Sequence, residues 1–146
     1  MANKGKDKDM AKAKIVKLIS FTLPNKVGQL AAAAELLGAA KTSVQAFSAS
    51  DAGSNASVAI AVKNVAKARK TLAPLGVEIK EQDALCIEMP NKPGRLQKVT
   101  KKLAEAGINI HSSWATAFSG KTASCILMTS DDKKALSALA GKKGKK

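Results

Sequence analysis

The chain has 146 residues, 45% hydrophobic and 25% charged, and its 25 basic residues outnumber 11 acidic ones for a net charge of +14. That apolar share excludes a disordered chain, and two cysteines are too few for a disulfide framework or a Cys-rich zinc module. Half of the net charge sits in the ends, +3 over residues 1–14 and +4 over residues 142–146, which read as basic tails flanking a body of moderate charge.

In chain order, residues 15–23 are β-branched and apolar and predict a strand ending at Pro24. A short loop, residues 24–28, opens a helix over residues 29–40, with Leu30, Ala33 and Leu37 spaced for one face. Strands follow at about 42–49 and 57–62, separated by a turn-rich stretch at 50–55. A helix over 65–75 stops before Gly76, and a strand at 77–81 completes the series. Only Gln82 and Asp83 then precede the next strand, 84–89. The pattern starts again with a loop at 90–94 and a helix at 95–106, with Leu96, Val99 and Leu103 inward and Lys98, Lys101 and Lys102 on the solvated face. Strands at 108–118 and 122–129 and a helix at 131–140 follow, with no evident fourth strand.

This is an internal repeat. Leu-Pro-Asn-Lys-Val-Gly-Gln-Leu at 23–30 recurs as Met-Pro-Asn-Lys-Pro-Gly-Arg-Leu at 89–96, with Pro24 and Pro90 standing 66 residues apart. At the same offset Leu37 answers Leu103, Val44 answers Ile110, Ile60 answers Ile126 and Lys67 answers Lys133. The fold expected is α+β, a ferredoxin-like βαββαβ unit repeated twice, with antiparallel sheets and helices on one face. The division expected is a basic tail at 1–14, one unit at 15–82, a second at 83–141 and a Lys-rich tail at 142–146.

Pro-Asn-Lys-Pro-Gly-Arg-Leu, a helix ending Leu-Ala-Glu-Ala-Gly and then Ile-Asn-Ile resembles the ACT domain family of regulatory amino-acid-binding modules. The resemblance covers about residues 15–139 and is closer in the second copy. It implies a ligand held at an interface between two ACT domains, with the loop before the first helix facing the second strand of a partner domain. Serine-binding members carry an Asn in this loop, matched by Asn25 and Asn91. They also carry a His two positions earlier, where this chain has Leu23 and Met89, so the resemblance does not name serine.

The chemistry of the loop is compatible with that reading. A glycine at the junction lets backbone approach a ligand, and amides at a helix N-terminus attract a carboxylate. Gly28, Gln29 and Leu30, and Gly94, Arg95 and Leu96, would supply those amides; Asn25 and Asn91 would accept from an α-amino group, beside Lys26 and Lys92. A tight turn alone also accounts for Pro-Asn-Lys-x-Gly. Its recurrence before both helices makes the two accounts equal, and the resemblance favours binding. His111 and Ser112, on the second strand of the second copy, are second-choice contacts.

Catalysis finds no support. His111 has no titratable partner nearby in sequence. Cys86 and Cys125 lie within apolar strands as small core residues. Ser119-Gly120-Lys121-Thr122 imitates the end of a phosphate loop, but Ala115 replaces the required glycine and strands flank it. No cofactor or metal is expected. Nucleic acid is the alternative partner suggested by the charge, yet no Tyr, one Trp and three Phe make no stacking platform. A purely structural interaction role is a further alternative. The N-terminus shows no signal peptide and no membrane span, placing the protein in the cytoplasm.

Side-by-side pairing of the two copies through their second strands would separate the outer fourth strand from the next first strand by roughly 29 Å at ~4.8 Å per strand. Two linking residues reach only about 10 Å. Either that strand is shared between units or the pairing occurs between chains, and an open strand edge in the second copy also points to a homodimer. The reading is therefore a non-catalytic sensor of an amino acid or similar small metabolite, its output either a separate partner such as a regulated enzyme or simple sequestration.

Overall fold

The computed structural model describes residues 12–116 and 120–140; both terminal stretches, residues 117–118 of the strand expected at 108–118, and Ser119 lie outside them. The chain divides into two units, residues 16–83 forming the first and residues 84–140 with residues 12–15 the second.

The first unit contains most of β1 (Lys12–Pro24), α1 (Gln29–Ala39), β2 (Val44–Ala52), β3 (Asn55–Val62), α2 (Val65–Leu72) and a 3-10 turn (Ala73–Leu75). Its strand order runs β2-β3-β1, all antiparallel, with Phe47 opposite Ile60 and Phe21 opposite Val58. Pro74, which cannot continue an α-helix, tightens the end of α2 into the 3-10 turn. Gly76, at φ 68°, then turns the chain. Asn64 caps α2, accepting from the Lys67 amide at 3.0 Å. Ile19, Phe21, Leu23, Leu37, Ile60 and Leu72 anchor the core, and Val77 and Ile79 pack against it. Burying each of the larger side chains contributes roughly 1.5–3 kcal/mol.

The second unit holds β4 (Lys80–Pro90) from Ala84 onward, α3 (Arg95–Glu105), β5 (Ile110–Thr116), β6 (Thr122–Thr129) and α4 (Asp132–Leu139). Its order runs β5-β6-β4. Leu85, Ile87, Leu103, Leu127 and Leu139 are its most buried large residues. Asp131 caps α4 through the Lys134 amide at 3.0 Å. Each unit has the antiparallel, two-helix ferredoxin-like design, and their α1–α2 and α3–α4 pairs correspond.

Several sequence expectations need correcting. Val77–Glu81 is not a separate strand. Residues 77–79 form no strand, and β4 begins at Lys80 and runs unbroken through Gln82 and Asp83. β1 begins at Lys12, three residues inside the stretch read as a basic tail. Among the described residues the second copy has, as expected, no fourth strand of its own, and β1 supplies that element instead. Residues 12–15 belong to that unit, and Ala13 and Ile15 pack against its core. The edge expected to be open is therefore occupied. In the first unit residues 80–83 take the same place beside β1, where Lys17 reaches Asp83 at 2.8 Å. An alternating strand gives no sequence signal of which unit each end serves.

The offset of 66 also fails past the hairpins. Gly53 and Gly120 occupy equal turn positions, as do the capped residues Lys67 and Lys134, so the offset becomes 67. One extra residue between Thr116 and Gly120 slips the register. Because side chains alternate with period two, Leu127, not Ile126, takes the core place of Ile60. Lys134, not Lys133, answers Lys67.

Candidate functional site

The two loops before α1 and α3 are built alike. Gly28 and Gly94 stand at the helix N-caps with φ 90° and 87°, a left-handed conformation that L side chains rarely adopt. A Cβ on either would meet nothing within 4 Å, so glycine is required here by backbone conformation rather than by crowding. Within the loop Lys26 N–H donates to the Pro24 carbonyl and Lys92 N–H to that of Pro90, both at 2.9 Å. Gln29 and Arg95 N–H donate to the carbonyls of Lys26 and Lys92 at 3.3 Å. Those two helix amides, expected to face a ligand, are thus engaged in closing the turn.

Asn25 and Asn91 tie each loop to the neighbouring hairpin. Asn25 N–H donates to the Ser54 carbonyl at 2.9 Å and its Nδ2 to that of Gly53 at 3.0 Å, with Asp51 Oδ2 at 3.5 Å. Asn91 N–H donates to the Lys121 carbonyl at 2.8 Å and its Nδ2 to that of Gly120 at 3.1 Å. The side chains therefore spend their donors on structure, and Oδ1 is the atom suited to a ligand's ammonium group. Asp51, Gly53 and Gly120 belong to this arrangement; a chain-order reading misses them because they are hairpin residues some 26–29 positions away.

Asn25, Lys26, Gly28, Asn91, Lys92 and Gly94 are all exposed, so both loops are open to solvent. Leu30 and Leu96, expected to face inward, are 40% and 51% exposed. Each sits in the first turn of its helix, ahead of the core clusters that begin at Ala33 and Val99.

His111 and Ser112 do not join the loop of their own unit. Pro90 pairs with Thr122 while Ser112 pairs with Met128, six residues along β6, about 20 Å at ~3.3 Å per residue. His111 occupies a register shift between Ile110 and Ser112 and is exposed, with Nδ1 3.4 Å from Asn109 Nδ2. Cys86 and Cys125 are free, and burial pushes both thiols above the ordinary range. That holds them as thiols rather than nucleophilic thiolates. Among the described residues no cluster of His, Cys, Asp and Glu could hold a metal, and no helix is long and apolar enough to cross a membrane.

The family model of an ACT domain pair matches residues 14–143. The chain belongs to the ACT domain-pair family. Among solved structures, this ACT pair resembles protein BT0572 from Bacteroides thetaiotaomicron at 26% identity and a TM-score of 0.81, covering 89% of this chain and 90% of that one. The regulatory subunit of aspartate kinase from Thermus flavus superposes at a TM-score of 0.69 and 20% identity, over 90% of this chain and 95% of that one. A putative C-terminal regulatory domain of aspartate kinase from Porphyromonas gingivalis W83 follows at 0.56 and 17%, over 92% and 97%. The last two likenesses establish the fold. No curated protein sequence matches this one.

Proposed function

We propose that this ACT domain pair is a non-catalytic regulatory module that binds an amino acid at its loop–helix junctions. The observation that carries the reading is the twofold recurrence of one loop, with a left-handed glycine at the helix start and an Asn held against the hairpin turn. An amino acid's carboxylate meets the positive end of the helix, and Asn Oδ1 accepts from its ammonium group. Asn25, Gly28, Asn91 and Gly94 carry the site, with Lys26, Lys92, Leu30 and Leu96 at its rim. The ACT-pair membership and the regulatory domains among the structural neighbours support a sensing role.

The sites form where ACT units meet, and the protein acts as a cytoplasmic homodimer. β2 carries no charged residue before Asp51, and β5 has no Lys, Arg, Asp or Glu. Sheets ordinarily guard outer strands with such charges. His111 and Ser112, about 20 Å from their own unit's loop, contribute only to a loop of another ACT unit. Signal transfer requires the ligand to favour one packing over another, which a separate regulated enzyme then reads.

The test is a thermal-shift screen of the full chain against the twenty amino acids, with sedimentation in parallel. A ligand at 100 times its Kd stabilises by about 2.7 kcal/mol. One amino acid raising the midpoint, lost in Asn25→Ala or Asn91→Ala, supports the reading. No response to any of the twenty overturns it, and a compact monomer at high micromolar concentration removes the dimer.

A further inference from the structure

Between α1 and β2 of the first unit lies a groove of about 540 Å³, lined chiefly by Leu30, Leu37, Thr42, Val44, Phe47 and Ile60. This size falls within the roughly 300–1,000 Å³ of small-molecule sites. No lining residue is charged. The one hydroxyl, on Thr42, lies 3.4 Å from that of Thr71. Leu30, Val44 and Phe47 are 40–52% exposed, an apolar surface that gains by being covered.

The fold does not demand this groove. At the positions of Ala31, Ala34 and Phe47 the second copy carries Gln97, Thr100 and Ser113. The apolar lining is thus a property of the first unit. Leu30 joins the groove to the loop, because it is the second residue of α1 and stands two positions after the Gly28 N-cap. A molecule with a charged head and an apolar tail would use both parts. A bare hydrocarbon would leave the loop unused. A charged or strongly polar side chain would lose its water in the groove without finding a partner.

We propose that the first unit takes an amino acid with an aliphatic or aromatic side chain, its charged ends at Asn25 and the start of α1 and its side chain in the α1–β2 groove. This rests on the amino-acid-sensing reading above and adds the ligand class. The second unit, with Ser113 in place of Phe47, does not share that preference.

The test is calorimetric titration of the full chain with leucine, phenylalanine, threonine, lysine and aspartate, repeated on Phe47→Ser, Asn25→Ala and Asn91→Ala. Phe47 is half exposed and Ser is the residue of the sister unit, so Phe47→Ser retains the fold, which its melting curve checks. Leucine or phenylalanine should bind, and both Phe47→Ser and Asn25→Ala should weaken that binding at least tenfold. Binding of only lysine, aspartate or threonine, dependent on Asn25, overturns the ligand class and leaves the sensing role standing. Binding of leucine or phenylalanine that depends on Asn91 and not on Phe47 also overturns the proposal. If Phe47→Ser alters the sedimentation coefficient but no affinity, the groove is a contact between copies. Silence toward all five, and toward the remaining amino acids, sinks the sensing role itself.

Discussion

Asn91 donates its side-chain amide to the carbonyl of Gly120, 3.1 Å away, and so fastens the loop before α3 to the turn between β5 and β6. Asn25 repeats the bond to Gly53 at 3.0 Å. A ligand at either loop therefore touches a segment already coupled to the hairpin, and a change at the loop reaches the hairpin through the backbone and side-chain hydrogen bonds of one Asn.

That bond can be weighed. Asn91→Ala should destabilise the second unit by about 0.5–1.5 kcal/mol, the usual net value of one hydrogen bond. Asn91→Asp should cost more, since it sets a carboxylate against a carbonyl that wants a donor. Urea denaturation of both variants gives the comparison, and equal stability of Asn91→Asp and wild type would show that the bond is not made in solution.

Glycine conformation supplies an internal contrast. Gly28→Ala forces a side chain to φ 90° and should cost about 1–2 kcal/mol. Gly38→Ala lies on the exposed side of α1 with nothing within 4 Å and should stabilise by about 0.8–1 kcal/mol. The melting midpoints should move in opposite directions.

Lys41 and Gly107 hold equal places after their helices, with φ 55° and 75°. The following amide returns to the helix at 2.9 Å in both, Thr42 to Leu37 and Ile108 to Leu103. Only Lys41 bears the strain of a left-handed non-glycine residue. Lys41→Gly should raise stability by up to about 1 kcal/mol and Gly107→Lys should lower it by about 1–2 kcal/mol, measured by chemical denaturation.

The thiols set an alkaline limit. Burial is the first cause raising both Cys86 and Cys125 above the ordinary thiol value. An acid whose folded pKa is raised binds its proton more tightly in the folded state. Its contribution is complete below the unfolded pKa and is lost as pH climbs toward the folded one. Stability should fall above about pH 8.5, and less so in Cys125→Ala measured against its own neutral-pH value. Alkylation of either cysteine in the native protein should be slow at pH 7.5.

Much was legible in the chain order. The recurrence of Pro-Asn-Lys-x-Gly-x-Leu marked two units, and the spacing of Ala33 with Leu37 and of Val99 with Leu103 marked the buried helix faces. Leu30 and Leu96 share that spacing yet stay exposed, since periodicity shows which face a residue is on but not where the core ends. Asn25 and Asn91 were legible as loop residues, whereas the Gly53 and Gly120 carbonyls that engage them were not. Those bonds join residues 28 and 29 positions apart, and only the closed hairpin sets them at bonding distance.

By itself, the sequence determined the repeated unit, its helices, the glycine-bearing loops and the ACT resemblance, because each is written in local periodicity and turn chemistry. Only the tertiary structure decided that residues 12–15 serve the second unit, that β4 runs unbroken, that one extra residue turns Ile126 away from its core, and that α1 and β2 leave an apolar groove. The physical reason is shared. A strand's alternation is the same whichever neighbour it pairs with, so the choice of partner and register rests on contacts between segments far apart in the chain.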